Sequence, residues 1–532
     1  MQTLPQEVVD QIASNLYRPD LKNLLLLSPT LRMAAEKHSE GLTKCKLHYK
    51  DLDNFVEKFR GARFCWLQEV EFDLRLPGGV GHDDVNAPDD PAGDQACKDD
   101  LSTQIHALFN ALKVLEGTEG PKGTIQLKII SPERQNPEST RLTAGRHIHL
   151  HGLEQVHVLQ SIGSLYVGPP ASLQDPSLYN KLPLRTPLDL STKLPNLGML
   201  RIDLLDEHNC DPECERTRFD EREEFALVAE TMSLQVKRAE IILQRRKAHE
   251  VLDHDSAMPN LVRGGPRDPF SSSLRVLCRY LTQLQLSAII DQSFFWPDDG
   301  EGDVWPNMES LEVKFHPTTP LGSWYFLGPR GEGNGVQGYP VDGIEYLGES
   351  QNTEGGTIIM GHAPCRPSGW RLKPNPETLR PLLSAYAKAA AKMPRLKEAM
   401  IWSPIWWSPG NHARPRFSYH SHFDMMNNKR SLGWGIGYNA PGTETKPDRP
   451  ESASSEDSED GDVRLFEWRT GSWEPDDALK DLFHEIGREK HGEEFDDDWD
   501  PDANQEDLFF EGFCVGKESY MISELKGEEI LQ

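Results

Sequence analysis

The sequence predicts an α/β protein: a short all-helical N-terminal unit, then a long irregular array of helix–strand units with long insertions. Three observations predict it. Helical stripes with proline-containing starts fill the first forty residues. A short pattern, Leu-x-x-φ-x-φ with φ apolar, recurs between residues 67 and 401 and ends with the two-residue alternation of a strand. Helical stretches precede several of its copies, the order expected of stacked α/β units.

In the first unit, Leu4-Pro5 opens a run in which Val8, Ile12 and Leu16 recur every four residues, one face of a helix. Thr3 is a candidate cap, and proline suits a first turn because its missing N–H had no partner there. Arg18-Pro19-Asp20 is expected to break this helix, and Asp20 to cap the next. That second stripe is Leu21, Leu24 and Leu25, widened by Leu26 and Leu27. Ser28-Pro29 reads as another start, and Leu31, Ala34, Ala35 and His38 continue as a third helix with Arg32 on its flank. Three such helices bury little apolar surface alone, and the run at 24–27 leaves some for a partner.

The order Leu4-Pro5-x-Glu7-Val8, Ile12, Leu16, Asp20-Leu21, Leu24 through Leu27-Ser28 and Leu31-Arg32 resembles the F-box. It departs from many F-boxes in the third helix, where Ser28-Pro29-Thr30-Leu31-Arg32 stands in place of a Cys-Arg-x-Trp-like element. The resemblance implies that residues 1–45 dock on a Skp-type adaptor, which joins a cullin–RING ubiquitin ligase. Leu4, Pro5, Val8, Ile12, Leu16, Leu21, Leu24 and Leu25 would then form or support the adaptor surface. It further implies an adaptor without chemistry of its own, recruiting an unidentified client for ubiquitin transfer by other subunits. Two other readings are an F-box-capped interaction scaffold acting outside a ligase, and a hydrolase or metal enzyme housed in the body.

Residues 46–440 form the body. The apolar pattern stands at Leu67/Val70/Phe72, Leu153/Val156/Val158, Leu197/Leu200/Ile202, Leu281/Leu284/Leu286, Met308/Leu311/Val313 and Leu396/Ala399/Ile401. Helices are expected at 51–60, 100–116, 225–250 and 377–392, and a further strand at 124–130. Helix-then-strand units carrying this pattern resemble a degenerate leucine-rich repeat array, each unit leaving an apolar face for its neighbours to cover. The spacing is irregular; only the 27 residues from Leu281 to Met308 match a regular repeat of about 20–29. The segment from Trp370–Pro374 through Met393–Trp402 resembles the C-terminal half of filamentous-fungal F-box proteins, as do the strand candidates at 433–438 and 464–468. Residues 476–486 read as one more helix. Residues 77–99 read as an acidic loop and 327–356 as an irregular glycine-rich one. Residues 441–463 read as an acidic, Ser-rich disordered linker before an acidic strand and helix segment at 464–532.

The net charge is −28 over 532 residues, with 27% charged and 37% hydrophobic residues. It is unevenly placed: residues 1–50 are net +2, whereas residues 451–510 are net −17. Such a balance argues against nucleic acid and against an anionic membrane surface as partners, since both demand Lys and Arg. No run approaches the roughly 20 apolar residues of a membrane helix. Eight scattered cysteines and the lack of any Asn-x-Ser/Thr sequon fit a reducing compartment, cytoplasmic or nuclear.

Candidate chemistry is sparse, and neither a metal nor a cofactor is expected. His147, His149, His151 and His157 would share one face of a strand, with His208, Cys210 and Cys214 as further donors, but no Cys-x-x-Cys or His-Glu-x-x-His supports zinc. Gly333-x-Gly335-x-x-Gly338 is followed by a turn-forming Tyr-Pro-Val-Asp-Gly, not by the helix a dinucleotide site needs. No Gly-x-Ser-x-Gly occurs. Ser452, Ser454, Ser455 and Ser458 lie among acids, as in a solvated spacer or acidophilic-kinase sites. Trp402, Trp406 and Trp407 form an aromatic cluster that could contact a client, with Trp324 and Tyr325 as possible additions, because tryptophan is enriched at interface hot spots.

Overall fold

Three short helices open the chain: α1 (Gln6–Ser14), α2 (Arg18–Leu24) and α3 (Pro29–His38). The computed structural model describes residues 4–39, 41–76, 91–117, 122–133, 150–170, 179, 182–204, 212–232, 236–243, 258, 260–297, 305–327, 371, 373–405, 432–443, 463–470 and 473–498. Pro5 itself occupies the position before α1 and supplies no side-chain cap; Thr3 lies outside the described residues. Asp20 does not cap α2, as expected from sequence, but sits in its first turn, because Pro19 fits that turn and the helix starts at Arg18. Ser28 does cap α3: the Leu31 N–H donates to Ser28 Oγ at 3.2 Å.

The chain forms two compact α/β units, residues 1–205 with 211–242 and residues 206–210 with 243–532, so the body predicted as one array at 46–440 is divided. In the first, β1 (Lys44–His48), β2 (Glu69–Asp73), β3 (Ile125–Ile130), β4 (Ile162–Gly168), β5 (Met199–Asp203) and β6 (Arg238–Ile242) lie side by side in chain order, each parallel to the next. The helices α4 (Leu52–Lys58), α5 (Pro91–Glu116), α6 (Thr186–Ser191) and α7 (Pro212–Thr231) occur in their connections. Parallel neighbours require crossovers, and these are right-handed in about 98% of cases. Because the strand order never reverses, the helices fall on one face of the sheet.

Burial follows that rule. Val70, Phe72, Leu127, Ile129, Leu165, Val167, Leu200 and Ile202 are buried, as are Phe55 of α4 and Ile105, Leu108, Phe109 and Leu112 of α5. Most alternate positions carry polar side chains, with Ile130 and Met199 as exceptions. At the start of β4 the register shifts beside Ile125/Gln126, and the backbones of Gly123 and Gly163 nearly touch. A Cβ on Gly163 would stand 2.0 Å from the Gly123 carbonyl oxygen, so only glycine fits.

The second unit contains α8 (Pro269–Leu277), β7 (Gln283–Ala288), β8 (Ser310–Phe315), the short pair β9 (Phe326–Leu327) and β10 (Lys373–Pro374), and α9 (Leu379–Ala391). It continues with β11 (Glu398–Ile405), β12 (Leu432–Asn439), β13 (Arg464–Arg469), α10 (Asp477–His484), α11 (Arg488–His491) and β14 (Phe495–Asp498). Its sheet runs β7-β8-β11-β12-β13-β14, parallel except where β12 pairs antiparallel with both neighbours. Register explains the Leu-Gly-Trp-Gly-Ile-Gly-Tyr-Asn sequence of β12: Gly433, Gly435 and Gly437 oppose Pro404, Trp402 and Met400. A Cβ on Gly435 would come within 2.6 Å of the Trp402 Cβ. An aromatic core of Phe294, Phe295, Trp305, Tyr386, Phe483 and Trp468 packs edge-to-face or tilted. Within it Trp305 holds a left-handed φ of 46°, secured by its indole N–H donating to the Arg275 carbonyl at 2.9 Å.

Several expected elements differ. Leu153/Val156/Val158 is not a strand: a 3-10 turn spans Leu153–Gln155 after Gly152 in a left-handed conformation, and β4 starts only at Ile162. The helix expected at 225–250 ends at Thr231, and β6 follows, because burying Ala239 and Ile241 beside β5 outweighs local helix preference. Residues 91–99, read as loop, belong to α5. The patterns at 67–72, 197–202, 281–286, 308–313 and 396–401 end in β2, β5, β7, β8 and β11.

Candidate functional site

Helix α1 is apolar on two sides. Val9 and Ala13 are buried and join Leu21, Ala34 and Ala35 in a small core, against which Leu16, Leu24, Leu25 and Leu31 pack half-buried. On the other side Leu4, Val8 and Ile12 are 56%, 40% and 45% exposed, with Pro5 also exposed. Among the described residues this stripe is left uncovered by the lobe's own core. Of the sequence-selected residues, Leu4, Pro5, Val8 and Ile12 thus stand on the surface, Leu21 lies in the core, and Leu16, Leu24 and Leu25 support it.

The run at 24–27 was expected to leave some leucine for a partner, and Leu26 and Leu27 are the ones left. They are 85% and 65% exposed in the turn after α2, the two most exposed leucines of the helical lobe. Four leucines in a row cannot all face inward from one helical turn, and that was the available signal. The helices are locked together by polar contacts. Arg32 Nε–H donates to the Leu25 carbonyl at 2.9 Å. Asp10 accepts from Lys37 at 2.6 Å and from Gln6 at 2.8 Å, and the Lys37 hydrogen bond, with that of Gln6, holds its carboxyl below the usual range.

The face of the first unit's sheet opposite its helices forms a second candidate. Register aligns Lys46, Glu71, Lys128, Tyr166, Arg201 and Glu240 in one row across six strands. Lys46 pairs with Glu71 at 2.7 Å, Lys128 with Glu69 at 3.0 Å and Arg201 with Glu240 at 3.0 Å, while the Arg201 guanidinium lies 5.3 Å from the Tyr166 ring centre. Tyr166 and Glu240 are buried, so the accessible part of the row is its Lys46–Glu71 end.

In the second unit Trp402 takes the equivalent alternate position on β11, yet it is only 4% exposed. Its indole N–H donates to Glu312 Oε1 at 3.3 Å and Lys314 Nζ stands 4.8 Å from the ring. Trp324 and Tyr325 are buried, the Tyr325 hydroxyl donating to the Ile290 carbonyl at 2.8 Å. Trp406 and Trp407 lie outside the described residues.

The candidates for chemistry fare as follows. His151 and His157 do not share a strand, and His147, His149, His208, Cys210 and the Gly333–Gly338 motif lie outside the described residues. Among the described residues no group of three or more His, Cys, Asp or Glu is placed to hold a metal. A cleft of about 430 Å³ in the first unit is lined by His151, Glu154, Arg185, Asp189, Lys193 and Glu224, but Arg185 is engaged by Asp189 at 2.9 Å and Lys193 by the Glu154 carbonyl at 2.8 Å.

The buried carboxylates Asp268 and Asp291 adjoin one another, and their oxygens are spent on caps. Asp268 accepts from the Phe270 and Ser271 N–H groups, and Asp291 from those of Ser293 and Asp268. Burial first, and the neighbouring Asp268 charge second, push the Asp291 carboxyl up. A raised carboxyl binds its proton more tightly in the folded state, so its stabilising contribution is full below the unfolded pKa of about 3.9 and is lost as pH rises through the folded value. Asp291→Asn is therefore expected to remove part of the loss of stability on going from pH 4 toward neutrality, read as urea midpoints against pH. An identical slope in the variant would contradict this.

Compared with known proteins, the chain matches no family model and no curated protein.

Proposed function

We propose that this chain is an F-box substrate receptor: residues 1–45 dock on a Skp-type adaptor of a cullin–RING ubiquitin ligase, and the α/β body recruits a client protein. The observation that carries this reading is the outward stripe of Val8 and Ile12 on α1, with Leu4 just before it, on a helix whose other side is already satisfied by its own small core. It agrees with the F-box-like order of the same residues. The body is read as a leucine-rich-repeat-like array, supported by six parallel strands laid down in chain order with helices between them. Client contact is assigned to the accessible end of the charged row, Lys46 with Glu71, because Tyr166 and Glu240 are as buried as Trp402. No step of covalent chemistry is assigned to the chain. The test is co-purification of the full chain with a Skp-type adaptor and cullin: a stoichiometric complex is expected, and its absence at micromolar concentrations would overturn the reading.

A further inference from the structure

The N-terminal helices form a lobe with its own core, drawn entirely from residues 9–35. Two neighbouring side chains of α3 make ion pairs in different directions, because successive helical residues are about 100° apart. Lys37 bonds Asp10 on α1 and stitches the lobe together. Glu36 reaches out of the lobe to Arg63, on the 3-10 segment Gly61–Trp66 that leads into β2.

This second pair is forked. Arg63 Nε–H donates to Glu36 Oε2 at 2.9 Å and a terminal N–H donates to Oε1 at 2.5 Å. The remaining terminal nitrogen donates to the Lys58 carbonyl at 3.4 Å, so the guanidinium is itself tied to the end of α4. Phe59, just before this segment, and Phe64, within it, are buried and anchor it to the body. Two parallel hydrogen bonds fix an angle as well as a distance, which a single ammonium contact cannot do.

We propose that Glu36–Arg63 is an orientation latch that sets the angle between the helical lobe and the parallel sheet of its unit. Its use to a ligase rests on the function proposed above: a receptor must present a held client in a defined direction from the adaptor. The latch itself is a property of this chain alone.

The test is the distance distribution between genetically encoded spin labels at Lys22, in the lobe, and Asp53, on α4, in the full chain. A narrow distribution is expected for the parent. Arg63→Ala and Arg63→Lys should each broaden it about twofold with unchanged circular dichroism, Lys because it keeps the charge and loses the fork. The exchanged pair, Glu36→Arg with Arg63→Glu, should restore a narrower distribution than either single change. Unchanged width in both Arg63 variants would overturn the latch. Adaptor capture is measured on the same samples: loss of capture in the parent sinks the F-box reading while the distances still decide the latch.

Discussion

Replacing Val8 and Ile12 together by glutamate is expected to weaken capture of a Skp-type adaptor by a factor of about 100 or more, the loss of two central apolar contacts. Both side chains stand in solvent, so the change should cost folding no more than about 0.5 kcal/mol each. In a complex each new carboxylate would be buried without a partner, which is far more costly. The control lies one residue away along the same helix. Ala13→Glu places a charge in the small core shared with Leu21 and Ala34, so it should unfold the lobe and lose capture for a different reason. Leu24 is half-buried against that core and would mix the two effects. Capture by immobilised adaptor, read beside thermal denaturation, separates them. Undiminished capture by the Val8→Glu/Ile12→Glu chain would remove this face as the docking surface.

Arg464→Ala is expected to destabilise the second unit by about 2–5 kcal/mol, the cost of leaving several carbonyls without their donor. The Arg464 side chain is buried, and its guanidinium serves only backbone carbonyls among its described partners: His484, Ile486 at 2.9 Å, Glu493 at 3.0 Å and Glu494 at 3.3 Å. Two of these belong to the end of α10 and the turn after it, where helical carbonyls lack intrahelical donors. The other two precede β14, so one side chain ties three segments to the start of β13. The guanidinium also lies 5.6 Å from the Phe495 ring centre. Burial pulls its pKa below the ordinary arginine value. Without it four carbonyls lose their donor, and each one left buried and unsatisfied costs about 1–3 kcal/mol. Arg464→Lys should recover part of the loss, having donors but no fork. Urea unfolding followed at the tryptophans reads the change; a loss under about 1 kcal/mol would show that water replaces the side chain.

Much of this was legible one element at a time. Ser28-Pro29 announced α3, and Leu379, Leu382, Leu383 and Tyr386 announced α9, because caps and helical stripes are local in sequence. The apolar pattern found five strands for the same reason. It failed at Leu153/Val156/Val158, where the spacing is right but Gly152 turns the chain, and at β6, whose Ala239 and Ile241 become a strand only beside β5. Trp402 shows the same limit at the site: its aromatic neighbours in sequence left core packing and client contact both open, and the glycines that seat it lie more than thirty residues later on β12.

From the sequence alone came the α/β class, the three helices, the uneven charge and the candidate stripe at Val8, Ile12 and Leu16, all set by residues within a few turns of one another. Only the tertiary structure decided which leucines of that lobe face outward, that the body divides near residue 242, and that Glu36 meets Arg63. Those outcomes depend on which surfaces distant segments cover. A periodic pattern states that a face is apolar, but packing alone determines what, if anything, lies against it.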